Sequence, residues 1–553
     1  MPPTLLCVPI MVDDPGAALG DAALARDLGA DLVEFRVDRL FQGEGDADGL
    51  AAALRLCRES PLPCIVTCRA AAEGGEYDGE DAARIALYER LGAADPARDE
   101  HPPRYVDLEF ATYSRSANLR QKVHLGVDHP GQQRDVATGL ILSTHDFTGR
   151  PANLSRLVAS MQGEPAPSVL KFAWKARSLR DNLEAFELLR ERDRPTIALA
   201  MGEFGLMSRV LAPKFGGFLT FASLRDSSTT APGQPTVREL LGRYRFRAIG
   251  PATRVFGVIG WPVAHSISPH VHNAGFEAIG FDGVYLPMPV AEGWESFKAT
   301  LLSLLDARWL DLRGVSVTIP HKKNLLRLAR EDRTRRWVID PLADRAGAAN
   351  TVVVNDDGSC AVLNTDIGGI LVPALGAFGG GPGALREKRA LILGAGGAAR
   401  AAGVALAGAG ARVSITARDA ARAGELVEQL KESQRSGEKI GPVPWEGRCA
   451  ERADLVVNCT PIGMSGGAQP QEQPADAALI ARASPSGVLF DTVYNPSLTP
   501  WLRAGAAAGL RTVGGLEMFV TQAAAQFEAW TSAPAPVTLF RRAAGETLGL
   551  TGP

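Results

Sequence analysis

Along roughly the first half of the chain, short apolar runs alternate with stretches of helical spacing. The runs fall at Leu5–Ile10, Asp31–Arg36, Cys64–Cys68, Tyr105–Glu109, Gly139–Thr144, Ser168–Phe172, Thr196–Met201 and Phe218–Ala222, with helix-period segments such as Ala17–Leu28 and Leu179–Arg190 between them. Eight strands alternating with helices predict an α/β architecture, a closed (β/α)8 barrel over residues 1–246. Ala111–Ala137 is longer than a simple strand-to-strand helix and contains Gly126 and Pro130, so it reads as an insertion. After a mixed stretch at Arg243–Thr253, the run Val255–Gly260 starts a new series of strands and helices. A Gly-rich loop, Gly379–Gly383, reads as a hinge or linker within that second half, and two subdomains with a cleft between them are expected there.

A chain of 553 residues exceeds one core and agrees with several domains. Net charge is −3 with both signs well mixed, which leaves no basic footprint for nucleic acid and no polybasic membrane patch. The 7 cysteines are an odd, scattered set and fit reduced thiols in a cytoplasmic protein. Cys64 and Cys68 lack a second Cys or His pair, so no metal site is expected. Leu5–Val12 has neither a basic flank nor a cleavage site and reads as a first strand, and no segment is long and apolar enough to span a membrane.

Barrel active sites form at the C-terminal ends of the strands. Glu34 and Arg36 end the second strand, Arg69 follows the third, His145 the fifth, Arg209 the seventh, and Thr230 to Gln234 the eighth. Lys171 lies inside the sixth, where a charged amine is costly unless paired or neutral, and its obvious use is a Schiff base with a carbonyl. His145 exchanges protons near neutral pH, as removal of a proton alpha to an iminium requires, and Arg69 and Arg209 suit a carboxylate. Taken singly, a strand-end Lys or His is more often a surface residue; joint placement is what favours chemistry.

At these residues the first 246 positions resemble type I 3-dehydroquinate dehydratase. The matching signatures are Glu34-Phe35-Arg36-Val37-Asp38, Arg69 with Glu73-Gly74-Gly75, Ser143 to Phe147, Lys171, Met201-Gly202 through Ser208-Arg209, and Ala231 to Gln234. The resemblance implies that Lys171 forms the imine with 3-dehydroquinate, that His145 transfers protons and that Glu73 assists it. It also implies that Glu34, Arg36, Arg69, Arg209, Thr230 and Gln234 hold the substrate.

In the second half, Ala390-Leu391-Ile392-Leu393 runs into Gly394-Ala395-Gly396-Gly397-Ala398-Ala399, the strand-to-helix turn that aims free N–H groups at a pyrophosphate. After the next strand, Thr416, Ala417 and Arg418 stand where an NAD enzyme offers an acid, so Arg418 and Arg422 are placed to meet the 2′-phosphate of NADP. Asp419 reads either as a helix N-cap or as a charge that repels that phosphate. Lys322 lies at a strand-to-helix corner and Asp366 precedes a Gly368-Gly369 turn; the two read either as a surface salt bridge or as the pair that balances hydride transfer to a ketone. Ser266 and Ser268, two apart in extended chain, would project to one side and bond one carboxylate. His270 and His272 would diverge on a helix and make no metal pair.

Residues 254–545 resemble shikimate dehydrogenase, through the Gly-rich turn, Gly347 to Thr351, Asn458 to Met464, Asp491 to Pro496, and Gly515 with Met518 and Gln522. The resemblance implies a substrate-binding domain over 254–378, joined by C-terminal helices at 515–545, and a Rossmann-type NADP domain over 386–514. Lys322 and Asp366 become the catalytic pair; Ser266, Ser268, Ser316, Thr318, Asn350, Tyr494 and Gln522 become substrate contacts. Thr460, Gly463, Met464, Gly515 and Met518 join Gly394, Ala395, Gly396, Gly397, Ala398, Thr416, Arg418 and Arg422 around the cofactor. Two departures bear on this: Ser316 stands where the bacterial pattern has Asn, and Ala417 and Asp419 replace the Asn and Thr of the usual Asn-Arg-Thr motif. Together the halves imply dehydration of 3-dehydroquinate followed by NADPH-dependent reduction of 3-dehydroshikimate to shikimate. The rivals are a quinate-preferring second half and a non-catalytic metabolite sensor.

Overall fold

The computed structural model describes residues 3–43, 45–130, 136–225, 233–432 and 439–550. The chain divides into two compact units, Met1–Thr253 and Arg254–Pro553.

In the first unit, β1 (Leu5–Met11), β2 (Leu32–Arg36), β3 (Cys64–Thr67), β4 (Tyr105–Glu109), β5 (Gly139–Asp146), β6 (Val169–Lys175), β7 (Thr196–Met201) and β8 (Leu219–Phe221) form one parallel sheet. Its order is β7-β6-β5-β4-β3-β2-β1-β8. The Phe218 N–H donates to Thr196 O at 2.9 Å and draws the two ends together into a nearly closed barrel. Parallel strands require crossovers, and several of the helices supplying them start at side-chain caps: Asp14 before Pro15–Asp27, Asp46 before Ala47–Glu59, Ser116 before Ala117–Gly126. The helix Ala117–Gly126 packs on Asp81–Gly92, so the expected insertion at 111–137 contains the ordinary crossover between β4 and β5. The short helix Phe110–Tyr113 precedes that crossover.

The barrel core explains where the chemistry lies. Cys7, Leu32, Ile65, Tyr105, Ile141, Val169, Ile197 and Leu219, one from each strand, form a single apolar cluster. Side chains two apart on a strand share a face. Two positions nearer the C-terminal ends, Leu32, Ile65, Tyr105, Ile141 and Val169 give way to Glu34, Thr67, Asp107, Ser143 and Lys171, a polar layer laid on the apolar one.

The second unit contains two sheets. The first comprises β9 (Arg254–Gly260), β10 (Gly283–Pro289), β11 (Leu312–Val317), β12 (Trp337–Ile339), β13 (Thr351–Val354) and β14 (Cys360–Leu363), in the order β10-β9-β11-β13-β14-β12 with β13 antiparallel to its neighbours. The second comprises β15 (Arg389–Leu393), β16 (Arg412–Thr416), β17 (Lys439–Pro442), β18 (Leu455–Asn458), β19 (Val488–Asp491) and β20 (Arg511–Val513). Its order β17-β16-β15-β18-β19-β20 is that of a doubly wound dinucleotide fold, whose switch point lies between β15 and β18. The helices Gly515–Thr531 and Val537–Thr547 return to the first sheet, where Phe519, Phe527, Trp530 and Phe540 join Phe256 and Phe276 in one core.

Gly368 and Gly369 make no turn. They lie inside the helix Asp366–Ala377, which buries Ile367, Ile370 and Ala374. A Cβ at Gly369 would stand 3.0 Å from Met518 O and 3.1 Å from Gln522 Cβ, so glycine here permits close packing against the helix Gly515–Thr531 rather than a change of direction.

Candidate active sites

At the barrel mouth, the Lys171 Nζ donates to Asp107 Oδ2 at 2.8 Å and lies 4.0 Å from Glu34 Oε1 and 4.6 Å from the Phe221 ring centroid. Its burial is therefore offset by pairing. Asp107, which sequence reading missed, is the hub of the layer: it also accepts from Ser143 Oγ at 2.6 Å and faces the Arg69 guanidinium at 2.8 Å. Burial alone would raise Asp107, but Arg69 and Lys171 outweigh it and hold the carboxyl well below its usual range. Its position, two residues above Tyr105 of the apolar layer as Lys171 is two above Val169, is the signal that would have found it.

His145 lies within β5 itself. Its N–H and Nδ1 stand 3.0 and 3.1 Å from Glu73 Oε2. Burial, reinforced by the Arg69 and Lys171 charges, pushes His145 well below its ordinary range, so the ring is neutral at neutral pH. Burial also pushes Glu73 up to about 7. An ionised Glu73 accepts from Nδ1–H and leaves Nε2 with its lone pair, ready to take a proton.

The arginines divide by partner. Arg36 grips Asp38 with both edges of its fork, at 2.9 and 2.6 Å. Arg69 is spent on Asp107, Ser143 and Glu109, and Glu109 is in turn held by the fully buried Arg84 at 2.8 Å. Arg69 is thus a fixed part of the wall. Arg209 differs: it is buried, among the described residues it donates a long bond of 3.5 Å to Phe221 O and meets no carboxylate, and desolvation pulls it down to about 10. Glu34 accepts from Thr67 Oγ1 at 2.6 Å, and Gln234 is buried near the end of the eighth strand's loop. Thr230 lies outside the described residues.

In the second unit, Lys322 opens the helix Lys322–Glu331 and its Nζ donates to Asp366 Oδ2 at 2.5 Å. Asn350 Nδ2 donates to Asp366 Oδ1 at 2.9 Å and to Thr365 Oγ1 at 3.0 Å, so its amide hydrogens orient the acid. Thr365 Oγ1 also reaches Gln522 Oε1 at 3.4 Å. Tyr494 packs 5.0 Å from Phe519, and Thr318 is half-buried with its N–H on Ile259 O. Ser316 is tied inward: Tyr285 OH donates to it at 2.7 Å and it donates to Gln526 Oε1 at 2.9 Å. Ser266 and Ser268 are not in extended chain. Ile267 between them is α-helical and Ser268 begins the helix Ser268–Ala278, so the Ser268 N–H turns back onto Ser266 Oγ at 3.3 Å. The Ser-Pro start of that helix, with proline at a position its fixed φ suits, overrides strand geometry.

Gly394 N–H donates to Thr416 O at 2.7 Å, joining the Gly-rich turn to the end of β16. The helix Gly397–Gly408 has no side-chain cap at Gly396, leaving its first N–H groups to a ligand, with Ala395 and Ala398 flanking them. The buried Thr416 hydroxyl has no hydrogen-bond partner among the described residues. Both features fit a dinucleotide. Thr460, Gly463 and Met464 form the facing loop after β18, where Thr460 is anchored on Asn458 Oδ1 at 2.7 Å; Gly515 starts the helix whose Met518 abuts Gly369. Asp419 accepts from the Arg422 N–H at 3.1 Å and pairs with its guanidinium at 3.2 Å, which makes it an N-cap and commits Arg422. Arg418 stays exposed and donates to Gln469 Oε1 at 3.3 Å.

The first unit thus gathers a buried lysine, a histidine and carboxylates at a barrel mouth and the second a lysine–aspartate pair beside a dinucleotide-type turn: one chain with a lyase centre and an oxidoreductase centre. Residues 6–251 match the model for type I 3-dehydroquinase, 258–352 the shikimate dehydrogenase substrate binding domain, and 515–544 the shikimate 5′-dehydrogenase C-terminal domain. The chain is 35% identical over 554 residues to the chloroplastic bifunctional 3-dehydroquinate dehydratase/shikimate dehydrogenase of Arabidopsis thaliana, covering 97% of this chain and 84% of that one. It is 40% identical over 297 residues to the NADP(+) shikimate dehydrogenase of Oleidesulfovibrio alaskensis, 53% of this chain and 96% of the relative. A Thermus thermophilus shikimate 5-dehydrogenase solved with NADP(H) and shikimate aligns at 33% identity and a TM-score of 0.44, over 54% of this chain and 100% of that one. The chain belongs to the bifunctional 3-dehydroquinate dehydratase/shikimate dehydrogenase family. Among the described residues, no helix is long and apolar enough to cross a membrane.

Proposed function

We propose that residues 1–246 dehydrate 3-dehydroquinate through an imine on Lys171, and that 254–378 with 515–545 and the NADP domain 386–514 reduce the resulting 3-dehydroshikimate to shikimate. The carrying observation is that each unit holds its own lysine–aspartate pair, Lys171 with Asp107 at 2.8 Å and Lys322 with Asp366 at 2.5 Å.

In the barrel, Lys171 Nζ attacks the ketone and water leaves to give the iminium; after the elimination, water adds back to the iminium and releases 3-dehydroshikimate from Lys171. His145 Nε2 removes the alpha proton, which the iminium acidifies, then returns it to the departing hydroxyl; Glu73 holds the ring in the tautomer this requires. Arg209 binds the substrate carboxylate. In the second unit, bound NADPH supplies the hydride. Lys322 protonates the oxygen of the reduced ketone, Asp366 fixes Lys322, and the first N–H groups of the helix Gly397–Gly408 hold the pyrophosphate. The scattered set of 7 cysteines supports a reducing, cytoplasmic location.

Purified full-length chain given only 3-dehydroquinate and NADPH tests the whole scheme. NADPH oxidation with shikimate appearing is expected, because that signal needs both centres in sequence; no oxidation, with none on added 3-dehydroshikimate either, overturns it. The exposed Arg418 makes a narrower prediction. Arg418→Ala raises KM for NADPH by about tenfold or more while leaving NADH little changed, as loss of one charge-assisted phosphate contact entails. An unchanged NADPH/NADH ratio moves the 2′-phosphate site elsewhere.

A further inference from the structure

We propose that Thr351 and Gln526 are positioning residues for the reduction, the middle of an oriented hydrogen-bond chain that begins at the Tyr285 hydroxyl and ends on the Asp366 carboxylate. The inference rests on Lys322 and Asp366 being the reductive pair.

Every link is a donor aimed the same way. Tyr285 OH donates to Ser316 Oγ at 2.7 Å, and Ser316 Oγ to Gln526 Oε1 at 2.9 Å. Gln526 Nε2 donates to Thr351 Oγ1 at 2.9 Å, and Thr351 Oγ1 to Asn350 Oδ1 at 2.7 Å. Asn350 Nδ2 then donates to Asp366 Oδ1 at 2.9 Å, while Lys322 Nζ holds the other oxygen at 2.5 Å. An amide accepts at one end and donates at the other, and a hydroxyl can do both at once, so two amides and two hydroxyls pass one polarity from Tyr285 to the acid. Tyr285, Ser316, Gln526, Thr351, Asn350 and Asp366 are all buried, where such links strengthen one another and an unmade one is costly.

Two consequences follow for the reaction. The chain presents Asp366 with donors on both oxygens, Asn350 Nδ2 on Oδ1 and Lys322 Nζ on Oδ2. The chain also fixes the rotation of that carboxylate: Asn350 Oδ1 accepts from Thr351 Oγ1 and from the Thr365 N–H at 2.8 Å, which orients the Asn350 amide, and the amide sets where Oδ2 and hence the Lys322 amine stand. Gln526 lies one helical turn beyond Gln522, on the helix that returns from the C-terminus, and so ties that helix to β13 at Thr351.

Thr351→Val keeps the shape of the side chain and removes the linking hydroxyl; Gln526→Met keeps length and removes both amide groups. Each is expected to lower kcat for 3-dehydroshikimate reduction by about tenfold or more while the dissociation constant of shikimate, measured by calorimetry without nucleotide, stays within about threefold. Thr351→Ser, which retains the hydroxyl, restores kcat. Combining Thr351→Val with Gln526→Met costs no more than either alone, because both break one chain. An unchanged kcat, a parallel loss of shikimate binding in both variants, failure of the serine rescue, or multiplicative losses overturns the proposal. Lys322→Ala separates this outcome from failure of the underlying assignment: full reduction by that variant would remove the pair itself, whereas its loss beside a neutral Thr351→Val rejects only the chain.

Discussion

Lys171→Ala abolishes dehydration of 3-dehydroquinate, lowering kcat by about 10⁴-fold or more, while reduction of added 3-dehydroshikimate by the same protein is unchanged. The variant removes the amine proposed to form the imine and leaves Asp107 buried against Arg69 without its Lys171 partner. Borohydride trapping supplies a direct check: reduction in the presence of substrate adds mass at Lys171 in the wild-type chain and none in the variant. Equal loss of both activities would contradict two separate centres.

Lys322→Ala does the reverse. Dehydration continues, NADPH is not consumed, and 3-dehydroshikimate accumulates, with reduction slowed by about 10²- to 10⁴-fold, the range that general acid catalysis supplies. The loss falls on kcat more than on KM, since Lys322 is held by Asp366 before substrate arrives and the proton is needed only as charge develops on the oxygen. Product analysis from 3-dehydroquinate alone distinguishes the cases: shikimate formed at an undiminished rate would dismiss Lys322 as the proton donor.

Much of this arrangement was legible in the chain because it is periodic or local. The barrel strands follow from alternation, and their inward polar residues follow from counting two positions up from the apolar layer; Lys171 obeys that rule, and so does the overlooked Asp107. The Gly-rich turn was legible because strand, turn and helix are contiguous. What sequence missed depends on contacts between distant segments. Gln526 meets Ser316 from 210 positions away, and Gly369 is small because of Met518, so neither role has a local signature. The geometry expected at the serine pair failed for the opposite reason: extended chain was expected before Pro269, and that proline instead starts a helix. Arg69 looked like a carboxylate clamp by type, and only the placement of Asp107, Glu109 and Ser143 around it shows that both of its terminal nitrogens already have partners within the barrel.

A Cβ on Gly397 would lie 2.9 Å from Cδ of Lys322. The first residue of the nucleotide-binding helix is therefore also the floor under the proton donor's stem, and a larger side chain there would disturb both at once. Arg418, at the exposed edge, touches neither. Descent and redesign consequently meet two kinds of position in this domain: preference between the two nicotinamide nucleotides can drift at the rim, while the turn beneath the lysine is held still by the chemistry it supports.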